Sequence, residues 1–150
     1  MMLKRPLLCA AVLTAAATFG TGASAATSAP FNINVSIGKA CWVAAYTNAG
    51  ATWTMTIKDG NSTAAVFRGA GTNFAPMKVI KGSARFTVRS GITVTFKSGT
   101  GKADIKVANY SIKSNSGEPA VFGTTFGGED STDDDWQDIL ANFTCLHHAG

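Results

Sequence analysis

Histidine, cysteine and acidic residues are scarce in this chain, and each shortage removes a class of chemistry. Its two histidines, His147 and His148, are adjacent near the C-terminus. Neighbours in a strand point apart, so the pair reads as an exposed tail rather than a soft-metal site or a general base. The three cysteines form no Cys-x-x-Cys, which leaves no zinc or dithiol redox motif. No Gly-x-Ser-x-Gly surrounds a nucleophile, and no glycine-rich phosphate loop follows a strand and opens a helix. No linker, internal repeat or low-complexity tract divides the chain. Acidic residues number only nine, and six of them crowd into the ten residues Glu129 to Asp138. The other three, Asp59, Asp104 and Glu118, are scattered. Lys and Arg are absent after Lys113, so the acidic run has no fixed cationic neighbour in sequence.

Crowded carboxylates repel one another, and like charges at short range disfavour the ionised forms. A divalent cation relieves that repulsion. Hard oxygen donors in this number suit Ca²⁺, which takes about six to eight oxygens. The bland alternative is a solvated acidic loop, or an acidic helix N-terminus favoured by the helix dipole. The run is not an EF-hand, because it lacks the central Gly and the terminal Glu at the required offset. Paired-carboxylate hydrolysis needs one acid isolated in an apolar setting, and so polar a run supplies the opposite.

The first 25 residues read as a secretory signal peptide. Lys4 and Arg5 precede an apolar, Ala-rich stretch from Leu7 to Phe19, and Ala23-Ser24-Ala25 is a small-x-small cleavage signature. The apolar run is shorter than the roughly 20 residues a membrane span needs. The expected mature domain is therefore 26–150, secreted, periplasmic or on the cell surface, with no membrane span after cleavage. Loss of Lys4 and Arg5 takes the formal charge from +4 to +2. Lys and Arg are spread along strand-like segments without clustering, which argues against nucleic acid as a partner. Cys9 leaves with the signal. Cys41 and Cys145 remain, and an even pair in an exported chain predicts one disulfide.

Alternation dominates the mature segment. Phe31 to Ile37, then Trp53, Met55 and Ile57, then Phe86 and Val88, then Ile92, Val94 and Phe96 each alternate with polar residues, as half-buried strands do. Ile105 and Val107 are out of phase with Tyr110 and Ile112, which predicts a bulge near Ala108-Asn109. Asp59-Gly60, Ser90-Gly91 and Ser98-Gly99-Thr100-Gly101 are turn signals between the runs. Short strands at this spacing predict an all-β, antiparallel β-sandwich of Greek-key or jelly-roll type, with about nine strands. One segment is ambiguous. Trp136, Ile139, Leu140 and Phe143 fall on a helical face, yet Ile139, Ala141, Phe143 and Cys145 also alternate as a strand would.

Three blocks resemble a known family. Gly128-Glu129-Asp130-Ser131-Thr132-Asp133-Asp134-Asp135-Trp136-Gln137-Asp138 resembles the calcium loop of the LecB-like bacterial lectins, which bind fucose and mannose. Val43 to Thr52, centred on Tyr46-Thr47-Asn48, resembles that family's aromatic-x-Asn turn, and Thr63 to Gly69 with Thr72-Asn73 follows at the family's spacing. The resemblance implies an antiparallel sandwich with residues 136–145 as a strand, and two adjacent Ca²⁺ ions coordinated in part by sugar hydroxyls. It implies Asn48, Glu129, Asp133, Asp135 and Asp138 as calcium ligands. Asp130 would hydrogen-bond the sugar, Ala49, Gly50 and Ala51 would tune sugar choice, and Thr72 would pack on the sugar's apolar edge. Gln137 stands where the family has an Asn ligand. The terminal Gly150 would reach a neighbouring subunit's calcium in a homo-oligomer, a dimer or tetramer, but the tail here is two residues longer than the family's. Family members with serine in the specificity loop tend toward fucose, so Ala49-Gly50-Ala51 implies mannose binding at least as strong. Glycans carrying mannose or fucose are then the expected partners. The competing expectations are an exported pilus-like or surface subunit whose calcium loop is purely structural, and a carboxylate hydrolase, which alone would turn glycosides over.

Overall fold

The computed structural model describes residues 25–131 and 136–147. The signal-like segment up to Ser24, four run residues (Thr132, Asp133, Asp134 and Asp135), His148 and the terminal Gly150 lie outside the described residues. Ten strands make up the described fold: β1 (Ala26–Thr27), β2 (Phe31–Ile33), β3 (Ala40–Asp59), β4 (Ser62–Pro76), β5 (Lys78–Gly82), β6 (Arg85–Thr87), β7 (Ile92–Ser98), β8 (Asp104–Lys113), β9 (Pro119–Glu129) and β10 (Ile139–Leu146). Every ladder is antiparallel. No helix long and apolar enough to cross a membrane occurs among the described residues.

The 20-residue strand β3 organises the two layers. Its first half pairs with β10 and β6, and its second half with β7 and most of β4. One layer is thus β6-β3-β10-β9-β8. The other is β5-β4-β3-β7, with β1 and β2 on the far edge of β7. Alternation sets what lies between them. Trp53, Met55 and Ile57 are fully buried, while Thr54 and Thr56 face outward. Val94 and Phe96 of β7, Phe126 of β9, and Ile139 and Phe143 of β10 complete the core. Phe126 joins the layers, with its ring 5.1 Å from Phe96 and 5.7 Å from Phe31. Tilted and edge-on aromatic pairs of this kind contribute about 0.5–1.5 kcal/mol beyond the area they bury.

Two expectations fail locally. The alternating run from Phe31 forms a strand only to Ile33, and the chain then turns at Ile37-Gly38, leaving Ile37 69% exposed. Only three residues find a partner, on β7, so alternation outlasts pairing. The bulge near Ala108-Asn109 is absent. The β8–β9 register runs unbroken from Asp104↔Glu129 to Ile112↔Val121, and shifts only between Ile112 and Lys113. The apolar residues change phase because they serve different faces. Ile105 packs on the core, while Tyr110 crosses Gly123 on the outer face and hydrogen-bonds Thr144 Oγ1 at 2.6 Å. The ambiguous 136–145 segment is a strand from Ile139 onward.

Cys41 and Cys145 are disulfide-bonded and directly opposed in the β3–β10 ladder. The bond spans 104 residues and ties the first long strand to the last. His147 extends the same end. Its N–H donates to the Ala120 carbonyl at 3.0 Å, and its own carbonyl accepts from Lys39 Nζ.

Candidate calcium and sugar site

Two strand ends deliver the acidic residues. β9 ends at Glu129, the loop returns to Asp138, and β10 begins at Ile139. The return is closed by backbone bonds: Asp138 N–H donates to the Gly128 carbonyl at 3.0 Å, and Asn48 N–H to the Asp138 carbonyl at 2.9 Å. The β3–β10 register thereby sets Asn48 beside Asp138.

Glu129 is 0% exposed and Asp138 only 7%. Burying an ionised carboxylate is costly unless it is paired. Among the described residues, donors come from the loop. Ser131 gives its N–H and its hydroxyl to Glu129 Oε1, at 2.8 and 3.0 Å. Trp136 N–H points at Glu129 Oε2 from 3.4 Å, and Asp130 N–H donates to Asp138 Oδ2 at 2.8 Å. One carboxylate oxygen from each of Glu129, Asp130 and Asp138 lies within 4.8 Å of the others. Converging hard oxygens, two of them on buried residues, fit Ca²⁺. Asn48, Glu129, Asp130 and Asp138, with half-buried Gln137 between Trp136 and Asp138, could hold it. Asp133, Asp135 and Gly150, also expected as ligands, lie outside the described residues.

The expected sugar loop sits beside this cluster. The β3–β4 register slips between Thr47 and Ala49 and again between Ala49 and Trp53, so the ladder opens around Asn48 to Thr52. Such irregularities re-aim side chains next to functional sites. Ala49 faces the core at 6% exposure, Gly50 is exposed, and Ala51 is half-buried. Opposite them, Thr72 is exposed, and Asn73 and Phe74 take left-handed backbone angles with φ of 62° and 54°. Left-handed backbone in non-glycine residues is uncommon and needs outside support. Asn73 N–H supplies some by donating to Asn48 Oδ1 at 2.8 Å.

Sequence pattern missed several supporting residues. Thr100 Oγ1 donates to the Asp130 carbonyl at 2.8 Å and contacts Ser98 Oγ at 2.7 Å, tying the loop to β7. Trp136, with φ of 54°, lies across Gly127, and Lys106 caps its ring at 3.7 Å. The Lys106 contact joins residues 30 positions apart through the Lys106↔Gly127 pairing, which no local motif announces.

Against known proteins, the chain matches the family model described as fucose-binding lectin II (PA-IIL) over residues 31–147. The chain belongs to the fucose-binding lectin II family. Solved structures agree on the fold. The Chromobacterium violaceum lectin CV2L, solved with alpha-methyl-fucoside, is 20% identical with a TM-score of 0.63, covering 81% of this chain and 96% of its own. A Ralstonia solanacearum high-affinity mannose-binding lectin is 22% identical at the same TM-score and coverage. The C-terminal domain of the Burkholderia cenocepacia lectin BC2L-C is 20% identical with a TM-score of 0.59, over 80% of this chain and 96% of its own. No curated protein sequence matches the chain.

Proposed function

We propose that this member of the family is an exported, calcium-dependent lectin for mannose- and fucose-type sugars. The observation that carries the reading is the convergence of Glu129, Asp130 and Asp138 oxygens within 4.8 Å, on a loop whose Glu129 has no exposed surface. Two Ca²⁺ ions, held by Asn48, Glu129, Asp133, Asp135 and Asp138 with Gln137 at hand, would attract vicinal hydroxyl oxygens. A neutral sugar held by hydroxyl hydrogen bonds alone gains little net energy, about 0.5–1.5 kcal/mol for each bond. Asp130 would accept a sugar hydroxyl, and the exposed Gly50 and Thr72 would border it with Ala51. Binding would occur without turnover.

The signal-like N-terminus and the disulfide support export to the periplasm, cell surface or medium. Trp42, Tyr46, Tyr110 and Ile112 are exposed on the outer face of the β3-β10-β9-β8 layer, which supports assembly of a dimer or tetramer. In such an assembly Gly150 of one subunit would complete another's calcium site.

The test is a calcium titration with and without methyl mannoside. A lectin site binds calcium more tightly when the sugar is present, because the coupling between two ligands is reciprocal. Calcium binding indifferent to methyl mannoside and methyl fucoside alike would leave only the structural-subunit reading.

A further inference from the structure

We infer that the outer face of the β5-β4-β3-β7 layer is a second binding surface, for an acidic polysaccharide, that works without calcium. The cations on this face are scattered in sequence. Strand register gathers them. Lys78 pairs with Arg68, Arg68 with Thr54, and Thr54 with Lys97, a single row across four strands. Strands lie about 4.8 Å apart, so the row spans about 15 Å. The next row is Lys81, Val66, Thr56 and Thr95, and beyond it Lys58 pairs with Thr93. Lys58, Arg68, Lys78, Lys81 and Lys97 are all exposed.

Among the described residues, no Asp or Glu occupies an outward position on these strands. Asp59, at the end of β3, is turned to the chain instead: its two oxygens accept from the Arg89 and Ser90 N–H groups at 2.7 and 2.6 Å. Like charges directly opposed across a ladder, as Lys78 and Arg68 are, destabilise the sheet. A bound polyanion would remove that repulsion.

The shape and chemistry of the face select the kind of polyanion. A shallow hollow of about 380 Å³ is lined by Thr52, Thr54, Arg68, Ile80 and Lys97. It has room for one carboxylate or sulfate between a guanidinium, which can grip it with two parallel N–H bonds, and an ammonium. The threonine hydroxyls that separate the cations are donors and acceptors matched to sugar hydroxyls. Nucleic acid fits less well. Single strands need aromatic platforms; the exposed Trp42, Tyr46 and Tyr110 belong to the other layer, and Phe74 lies at the end of β4 beside the Asn48 loop, away from the cation rows. A duplex groove admits a helix or a two-stranded ribbon rather than a broad sheet face. A bilayer surface calls for apolar side chains across the contact, and here Ile80 and the half-buried Val66 stand singly among cations and threonines.

The test is affinity for a sulfated and for a carboxylated polysaccharide, heparin and polygalacturonate, with dextran as the neutral control, each measured with calcium and with chelator. The full mature chain is compared with Arg68→Glu/Lys97→Glu, and with Arg85→Glu/Lys113→Glu, which makes the same charge change elsewhere. Melting curves confirm that both variants fold. The first variant should lose at least about tenfold in affinity and the second should not. Wild-type affinity should fall at least about tenfold between roughly 50 and 200 mM salt, since surface charge pairing is screened. Binding to only one of the two polymers supports the inference and identifies the anionic group. Four outcomes overturn it: no binding to either polymer, binding that chelator abolishes, affinity indifferent to salt, or equal loss in both variants. Tighter binding of DNA or phosphatidylglycerol vesicles than of either polymer, through Arg68 and Lys97, also overturns the choice of a polysaccharide. Calcium and mannoside binding by Arg68→Glu/Lys97→Glu should be unchanged, which separates this surface from the acidic site.

Discussion

Glu129 sits at the centre of the account because it is a carboxylate with no exposed surface. Among the described residues, Ser131 and Trp136 donate to it, both within the loop it would organise. Replacing it with Gln keeps shape and removes charge. Calcium affinity depends on the number of charged ligands, so Glu129→Gln should weaken calcium binding at least about tenfold in direct titration. Unaltered affinity would remove Glu129 from the ligand set. Sugar preference turns on the neighbouring loop. A serine at Ala49 would place its hydroxyl in the core, since Ala49 is buried. Gly50 is the better position: it is exposed, and a Cβ added there would meet nothing within 4 Å. Gly50→Ser should shift preference from methyl mannoside toward methyl fucoside by about one neutral hydrogen bond, 0.5–1.5 kcal/mol. Competitive binding of the two glycosides measures it, and a shift toward mannoside would contradict the loop argument.

β10 is the element on which the site depends. Its first residue follows Asp138, and its far end carries Cys145, so one strand links the acidic loop to the disulfide. Removing the crosslink with Cys41→Ala/Cys145→Ala should lower stability by up to roughly 4–5 kcal/mol in the chain-entropy model, and often less in practice. Denaturant unfolding checks this, and an unchanged midpoint would contradict it. Gly123 of β9 sets a second constraint. A side chain there would meet the Phe143 carbonyl and the Tyr110 ring. Gly123→Ala should therefore cost about 1–3 kcal/mol by overpacking, seen in the same unfolding measurement. Much of this level was legible in the sequence. The alternation of Trp53, Met55 and Ile57, the Asp59-Gly60 turn and the cysteine pair each report a local or covalent constraint. What escaped was pairing. Alternation runs past Ile33, but only the neighbouring strand decides where a ladder stops, and the phase change between Val107 and Tyr110 reflects two faces rather than a bulge.

At the scale of the whole molecule, register does what sequence order hides. It sets Asn48 beside Asp138 and Thr100 beside Asp130, and it collects five separated cations on one face. The acidic residues were visible beforehand because they are contiguous. The cationic face was not, because its residues come from four strands. A ligand that binds only the folded state stabilises it by mass action, so millimolar calcium should raise the melting midpoint of the mature domain relative to chelator. The central claim, that calcium held by the Glu129–Asp138 loop binds the sugar, is tested most directly by calorimetric titration. Methyl mannoside and methyl fucoside would be titrated into calcium-loaded protein, into chelated protein and into calcium-loaded Asp135→Ala. Both sugars should bind the loaded protein, mannoside at least as tightly as fucoside, with no measurable heat in the other two. Equal sugar binding with chelator, or by Asp135→Ala, would contradict it.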